Sequence, residues 1–130
     1  VTAPRTVTVP TSDRGPVTIP EPHWCSGIGH DVRNLRVEIA HQSAPLDITV
    51  NTARGPERLL ELLYWQDPFP PVTSPHGSNV YVVAHLLDGD HYGYDVAGLD
   101  GLVTDLLEAA ASVRLVARRL RIEYALGGGQ

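Results

Sequence analysis

From Val96 to Leu120 the apolar residues Val96, Leu99, Val103, Leu106, Leu107, Ala110, Val113, Ala117 and Leu120 recur three or four positions apart. Before Val96 they alternate in short runs. That change of period, from two to about 3.6, constrains the fold more than any other feature, because it places strands first and one long helix last. Asp95 or Asp100 supplies a helix start, and Ala109-Ala110-Ala111 adds helix propensity. Acidic Asp100, Asp105 and Glu108 precede Arg114, Arg118, Arg119 and Arg121, an order that complements the helix dipole.

Upstream, Val7 and Val9 face Val17 and Ile19 across the turn-rich Thr11-Ser12-Asp13-Arg14-Gly15, which predicts a hairpin. Leu35-Arg36-Val37-Glu38-Ile39-Ala40-His41 reads as a strand, paired through a Ser43-Ala44-Pro45 turn with a second strand over Leu46–Val50. Residues 59–65 are read as a strand in preference to a helix, 67–78 as an exposed loop, and 80–87 as a central strand. Asp88-Gly89-Asp90 makes a turn into a short return at Tyr92-Gly93-Tyr94. The expected architecture is α+β: a two-layer domain in which an antiparallel sheet is packed by the long C-terminal helix. Residues 1–20 form an N-terminal β hairpin, 21–126 the α+β core of the same single domain, and 127–130 a flexible tail.

Composition narrows the function classes. Ten arginines and no lysine stand against fifteen acids, for a net charge of −5, so a dedicated nucleic-acid surface is not expected. Arg114, Arg118 and Arg121 are the residues that could contact phosphates, as a weak binder, but no base-reading element accompanies them. No apolar run approaches the ~20 residues of a membrane span, and no membrane partner is expected. A single cysteine forms no intrachain disulfide and fits a reducing, cytoplasmic setting.

The chemistry concentrates in residues 21–41. Cys25 and His30 are five apart, close to the ligand spacing of structural zinc motifs, and His41 lies at the end of the expected strand. His23 is the further candidate ligand, with Asp31 or water as alternatives for the fourth position. In an extended segment His23 and Cys25 share a face and Trp24 takes the other, where it can anchor the loop. Glu21 and Asp31 are candidate acceptors for a ligating imidazole. Zinc is the one cofactor these residues imply. An ordinary buried cysteine beside unrelated histidines accounts for the same letters with fewer assumptions. A Cys25 nucleophile would need a histidine in reach, an orienting acid and an oxyanion donor set; the last is missing, so no catalytic residue is assigned. Among His76, His85 and His91 no spacing asks for a second metal site.

The run Pro22-His23-Trp24-Cys25, followed by His30 and Ile39-Ala40-His41, resembles a family of small actinobacterial proteins of unknown function with a Trp-Cys loop and following histidines. The resemblance implies a Val-Thr-rich N-terminus, β segments, an alanine-rich terminal helix and bacterial ancestry, with no activity to carry over. Trp24, Cys25, His30 and His41 match its recurring positions. Ser43-Ala44-Pro45 departs from a glycine expected there, and residues 67–78 are longer. The functional expectation is a small cytoplasmic accessory or binding protein stabilised by zinc. The alternative is a metal-independent protein-interaction or homodimerisation domain.

Overall fold

Strand β1 (Arg5–Thr11) turns back on β2 (Gly15–Glu21) in a computed structural model that describes residues 5–87 and 89–127. The register pairs Val7 with Ile19 and Val9 with Val17, as the alternation predicts. Thr11 closes the turn: its hydroxyl donates to the Gly15 carbonyl (2.7 Å) and accepts from the Arg14 amide (2.9 Å). Prolines face each other at Pro10 and Pro16, so this two-stranded sheet has few amides with which to recruit further strands.

A five-stranded antiparallel sheet follows. Its spine is β5 (Gly55–Gln66), 12 residues long. On one side of β5 lie β3 (His41–Gln42) and β4 (Leu46–Thr52); on the other come β6 (Tyr81–Leu86) and then β7 (His91–Tyr94). Ser43 bridges the gap between β3 and β4. Its amide donates to the Tyr64 carbonyl (3.0 Å) and its hydroxyl accepts from the Tyr64 amide (2.8 Å), which keeps the edge bonded through the interruption before Pro45. Cross-strand pairs Leu60–Leu86, Leu62–Ala84 and Tyr64–Val82 occupy one face, and Glu61–His85, Leu63–Val83 and Trp65–Tyr81 the other.

The strand expected over 35–41 does not form. Residues Arg36–Glu38 make a 3-10 turn instead, closed by Glu38 N–H to Leu35 O (2.9 Å) and Ile39 N–H to Arg36 O (3.2 Å). Two tertiary contacts override the alternation: the Arg36 amide donates to Asp13 Oδ1 (2.9 Å), and its guanidinium lies 4.8 Å from the Phe69 ring centroid. A period of three puts Arg36 and Ile39 on the same side. Ile39 is therefore buried in the core with Val9 and Ile19, while Leu35 and Val37 stay exposed. The predicted hairpin between 35–41 and 46–50 is lost with it; β4 pairs with β5 across Ala53-Arg54.

The segment 67–78 is tied down more than its composition suggests. Phe69 packs on the Val9–Ile19–Ile39 cluster, and Asp67 accepts from Trp65 Nε1 (3.0 Å) and Tyr81 Oη (3.1 Å). His76, expected to face solvent, is half-buried and stacks on Tyr81 at 4.1 Å.

Helix α1 runs over Val96–Ala125, 30 residues and roughly 45 Å at the usual rise. Asp95 sits just before it, and Gly127 (φ +80°) ends it, its amide donating a hydrogen bond to Tyr124 O (3.0 Å). Because the helix continues to Ala125, the arginines fall short of its last turn and Asp100 lies beyond its first, so the dipole contributes less than expected. Strands first and a helix last make the chain an α+β protein. By contacts it divides into two compact units, Val1–Asp95 and Val96–Gln130. The tail expected at 127–130 lies, beyond Gly127, outside the described residues, as does Asp88 of the turn into β7. Among the described residues, no helix is long and apolar enough to cross a membrane.

Candidate metal centre

Where β2 ends, the chain makes three turns in succession. The Cys25 amide bonds to Pro22 O (3.0 Å), the His30 amide to Gly27 O (3.2 Å) and the Val32 amide to Gly29 O (3.2 Å). Gly27 and Gly29 both take φ +81°, a conformation costly for any residue with a Cβ. These turns fold the loop so that Cys25 and His30 point to the same place. Ser26 then clips the loop to β3, its amide and hydroxyl both donating to Gln42 O at 2.9 Å. The neighbouring β3 residue, His41, completes the group.

Cys25 Sγ lies 3.9 Å from His30 Nε2. The His30 and His41 rings meet edge to face, 5.3 Å between centroids. The thiol and one nitrogen of each ring all lie within 4.8 Å of one another. All three side chains are buried: 7% of Cys25, 8% of His30 and 2% of His41 is exposed. Three soft or borderline donors, buried and within 4.8 Å of one another, are close enough to hold a metal ion.

The Gly27 amide donates to Cys25 Sγ (3.4 Å). Burial pushes the His41 pKa below its ordinary 6.5 and nearby His30 pushes it further; Glu21 and the Pro20 carbonyl act against this. The neutral imidazole that a metal requires is thus the favoured form of His41 near neutral pH. Glu21 Oε2 lies 3.3 Å from His30 Nδ1, with Glu21 itself held by Arg5 at 2.6 Å. Arg5 also reaches the Pro22 and Cys25 carbonyls (3.4 Å each), bracing the loop from outside.

Although Glu21 is close, its approach to His30 Nδ1 lacks hydrogen-bond alignment, and both His30 Nδ1 and His41 Nδ1 are buried without a hydrogen-bond partner. An unpaired buried polar group costs about 1–3 kcal/mol. On the other ring nitrogen, His30 Nε2 shares its position between Cys25 Sγ and the Ala40 carbonyl (3.3 Å).

Not every candidate joins the cluster. His23 does not share a face with Cys25, because the segment is a turn and not extended; its side chain is exposed, as is that of Asp31. Of the two acids considered as partners for an imidazole, Glu21 is the one beside His30. Trp24 is half-buried against the centre, edge-on to His41 (6.4 Å) and tilted on Tyr64 (5.8 Å). Arg114, Arg118 and Arg121 are exposed on α1, one or two turns apart. A further group, Glu61, His85 and His91, has donor atoms within 4.8 Å of one another. Sequence spacing passed over it because the three lie on different strands, and register alone brings them together.

The fold and the site define an antiparallel-sheet protein with a long C-terminal helix and a buried thiol–imidazole cluster. A family model described as a domain of unknown function (DUF6907) matches residues 6–122, and the chain belongs to that family. No curated protein and no solved structure matches it.

Proposed function

We propose that this protein is a small accessory or binding domain whose first unit is held together by a zinc ion on Cys25, His30 and His41. The convergence of the three buried donors, within 4.8 Å of one another, is the observation that carries this reading. In this arrangement His30 binds through Nε2, which leaves Nδ1–H to turn toward Glu21, the carboxylate–histidine–metal pattern that orients a ligand. Water fills the fourth position, since His23 and Asp31 are exposed. The ion joins the loop after β2 to β3, and so links the hairpin to the larger sheet. It acts as a clamp. The reading assigns no catalysis.

The partner in this reading is a protein, or a second copy of the chain. Its support is strand β4, where Leu46, Ile48 and Val50 are all exposed on the sheet edge. The single reduced thiol fits the cytoplasm. Metal analysis of the purified chain, followed by cobalt substitution, tests the clamp. A thiolate-to-cobalt absorption that disappears in Cys25→Ser supports it. Cobalt bound without any thiolate band would refute it.

A further inference from the structure

Strands β5, β6 and β7 of the large sheet carry a second set of donors, separate from the buried centre. Register places Glu61 of β5 opposite His85 of β6, and His85 opposite His91 of β7. Directly opposed residues in antiparallel strands project from the same face with Cβ atoms about 5 Å apart. Glu61, His85 and His91 therefore form one row across three adjacent strands, and each offers a ligand atom within 4.8 Å of the other two. The two imidazoles stack, 4.3 Å between centroids and 26° between planes. Glu61 and His85 are half-buried, and His91 is exposed.

We propose that this row is a second metal site, one that takes a borderline divalent ion such as Zn2+ from solution. Two imidazoles and a carboxylate suit zinc and its neighbours, whereas calcium and magnesium prefer oxygen donors throughout. The row lies on rigid strands, so only side-chain rotation is needed to aim the ring nitrogens at one point. Glu61 Oε2 accepts from Arg58 at 2.6 Å, which holds that oxygen and leaves Oε1 for the ion. With one ligand exposed and the other positions open to water, the site exchanges its metal readily, in contrast to the enclosed centre at Cys25.

The test counts zinc on the full chain after equilibrium dialysis against Zn2+, beside His91→Asn and His85→Asn. Wild type holding about one equivalent more than either variant supports the site. Equal stoichiometry in wild type and variants overturns it. Because the criterion is a difference, it stands whether or not the buried centre binds. That centre reports separately through the thiolate-to-cobalt band, which both variants retain. His91 is exposed, so His91→Asn keeps the fold, and circular dichroism verifies it.

Discussion

His30 and His41, eleven residues apart, meet edge to face at 5.3 Å although no regular hairpin connects them. The 3-10 turn at Arg36–Glu38 shortens the path between them, and Ser26 fastens the loop of one to the strand of the other. Neither Nδ1 makes a hydrogen bond, although Glu21 lies 3.3 Å from that of His30.

Chelation is the most direct check on the clamp. A ligand that binds only the folded state at a hundred times its Kd stabilises by about 2.7 kcal/mol, or about 10 °C for a domain of this size. Thermal unfolding with and without a strong chelator is expected to show a fall of that order, reversed by added zinc. A melting temperature indifferent to both treatments would count against the clamp.

His41→Ala removes a buried side chain and a ligand together. The expected loss is about 2 kcal/mol or more by denaturant titration, with no recovery on adding zinc. Trp24→Phe keeps an aromatic ring against His41 and Tyr64, and the expected loss is smaller. A zinc response in His41→Ala as large as in wild type would remove His41 from the ligand set.

The 3-10 turn makes an asymmetric prediction over three apolar residues that alternation treats alike. Ile39→Ala, at a position 5% exposed, is expected to cost about 2–4 kcal/mol. Leu35→Ala and Val37→Ala, at 45% and 44% exposed, are expected to cost less than about 1 kcal/mol each. Comparable losses at all three positions would instead indicate a strand.

Tyr81 supplies an alkaline signature. Burial raises its phenol first, and the charge of Asp67 and the hydrogen bond to it add to the effect, up to about 12 from an ordinary 10.0. A raised pKa means that the folded state holds the proton more tightly. The stabilisation is complete below pH 10 and is lost as pH rises toward 12. Absorbance titration of the phenolates should show a late-ionising component, and Asp67→Asn should move it to lower pH. A titration with no component displaced above the ordinary 10.0 would contradict the placement of Tyr81.

Two glycines should respond with opposite signs. A Cβ at Gly93 would stand 2.8 Å from His76 Nε2 and 3.1 Å from the Tyr81 ring, so Gly93→Ala is expected to destabilise by about 1–3 kcal/mol. Gly101 lies within α1 with open space around it, and Gly101→Ala is expected to raise helix stability by up to about 1 kcal/mol. Paired melting curves of the two variants check both signs.

Side-chain period and turn chemistry were readable from the letters alone. Alternation identified the faces of β1, β2, β5 and β6, and the three-to-four spacing identified α1, because each pattern arises within one element. Cys25, His30 and His41 were also readable as a candidate trio, since few other side chains offer such donors. Tertiary structure decided the rest. It turned Leu35–Ile39 into a 3-10 turn, because the bonds to Asp13 and Phe69 outweigh a short alternation. It placed His23 outside the cluster by making residues 22–25 a turn. It gave β4 to β5, and it aligned Glu61, His85 and His91 across three strands. Pairing and register depend on contacts between residues far apart in the chain, and local periodicity carries no information about those.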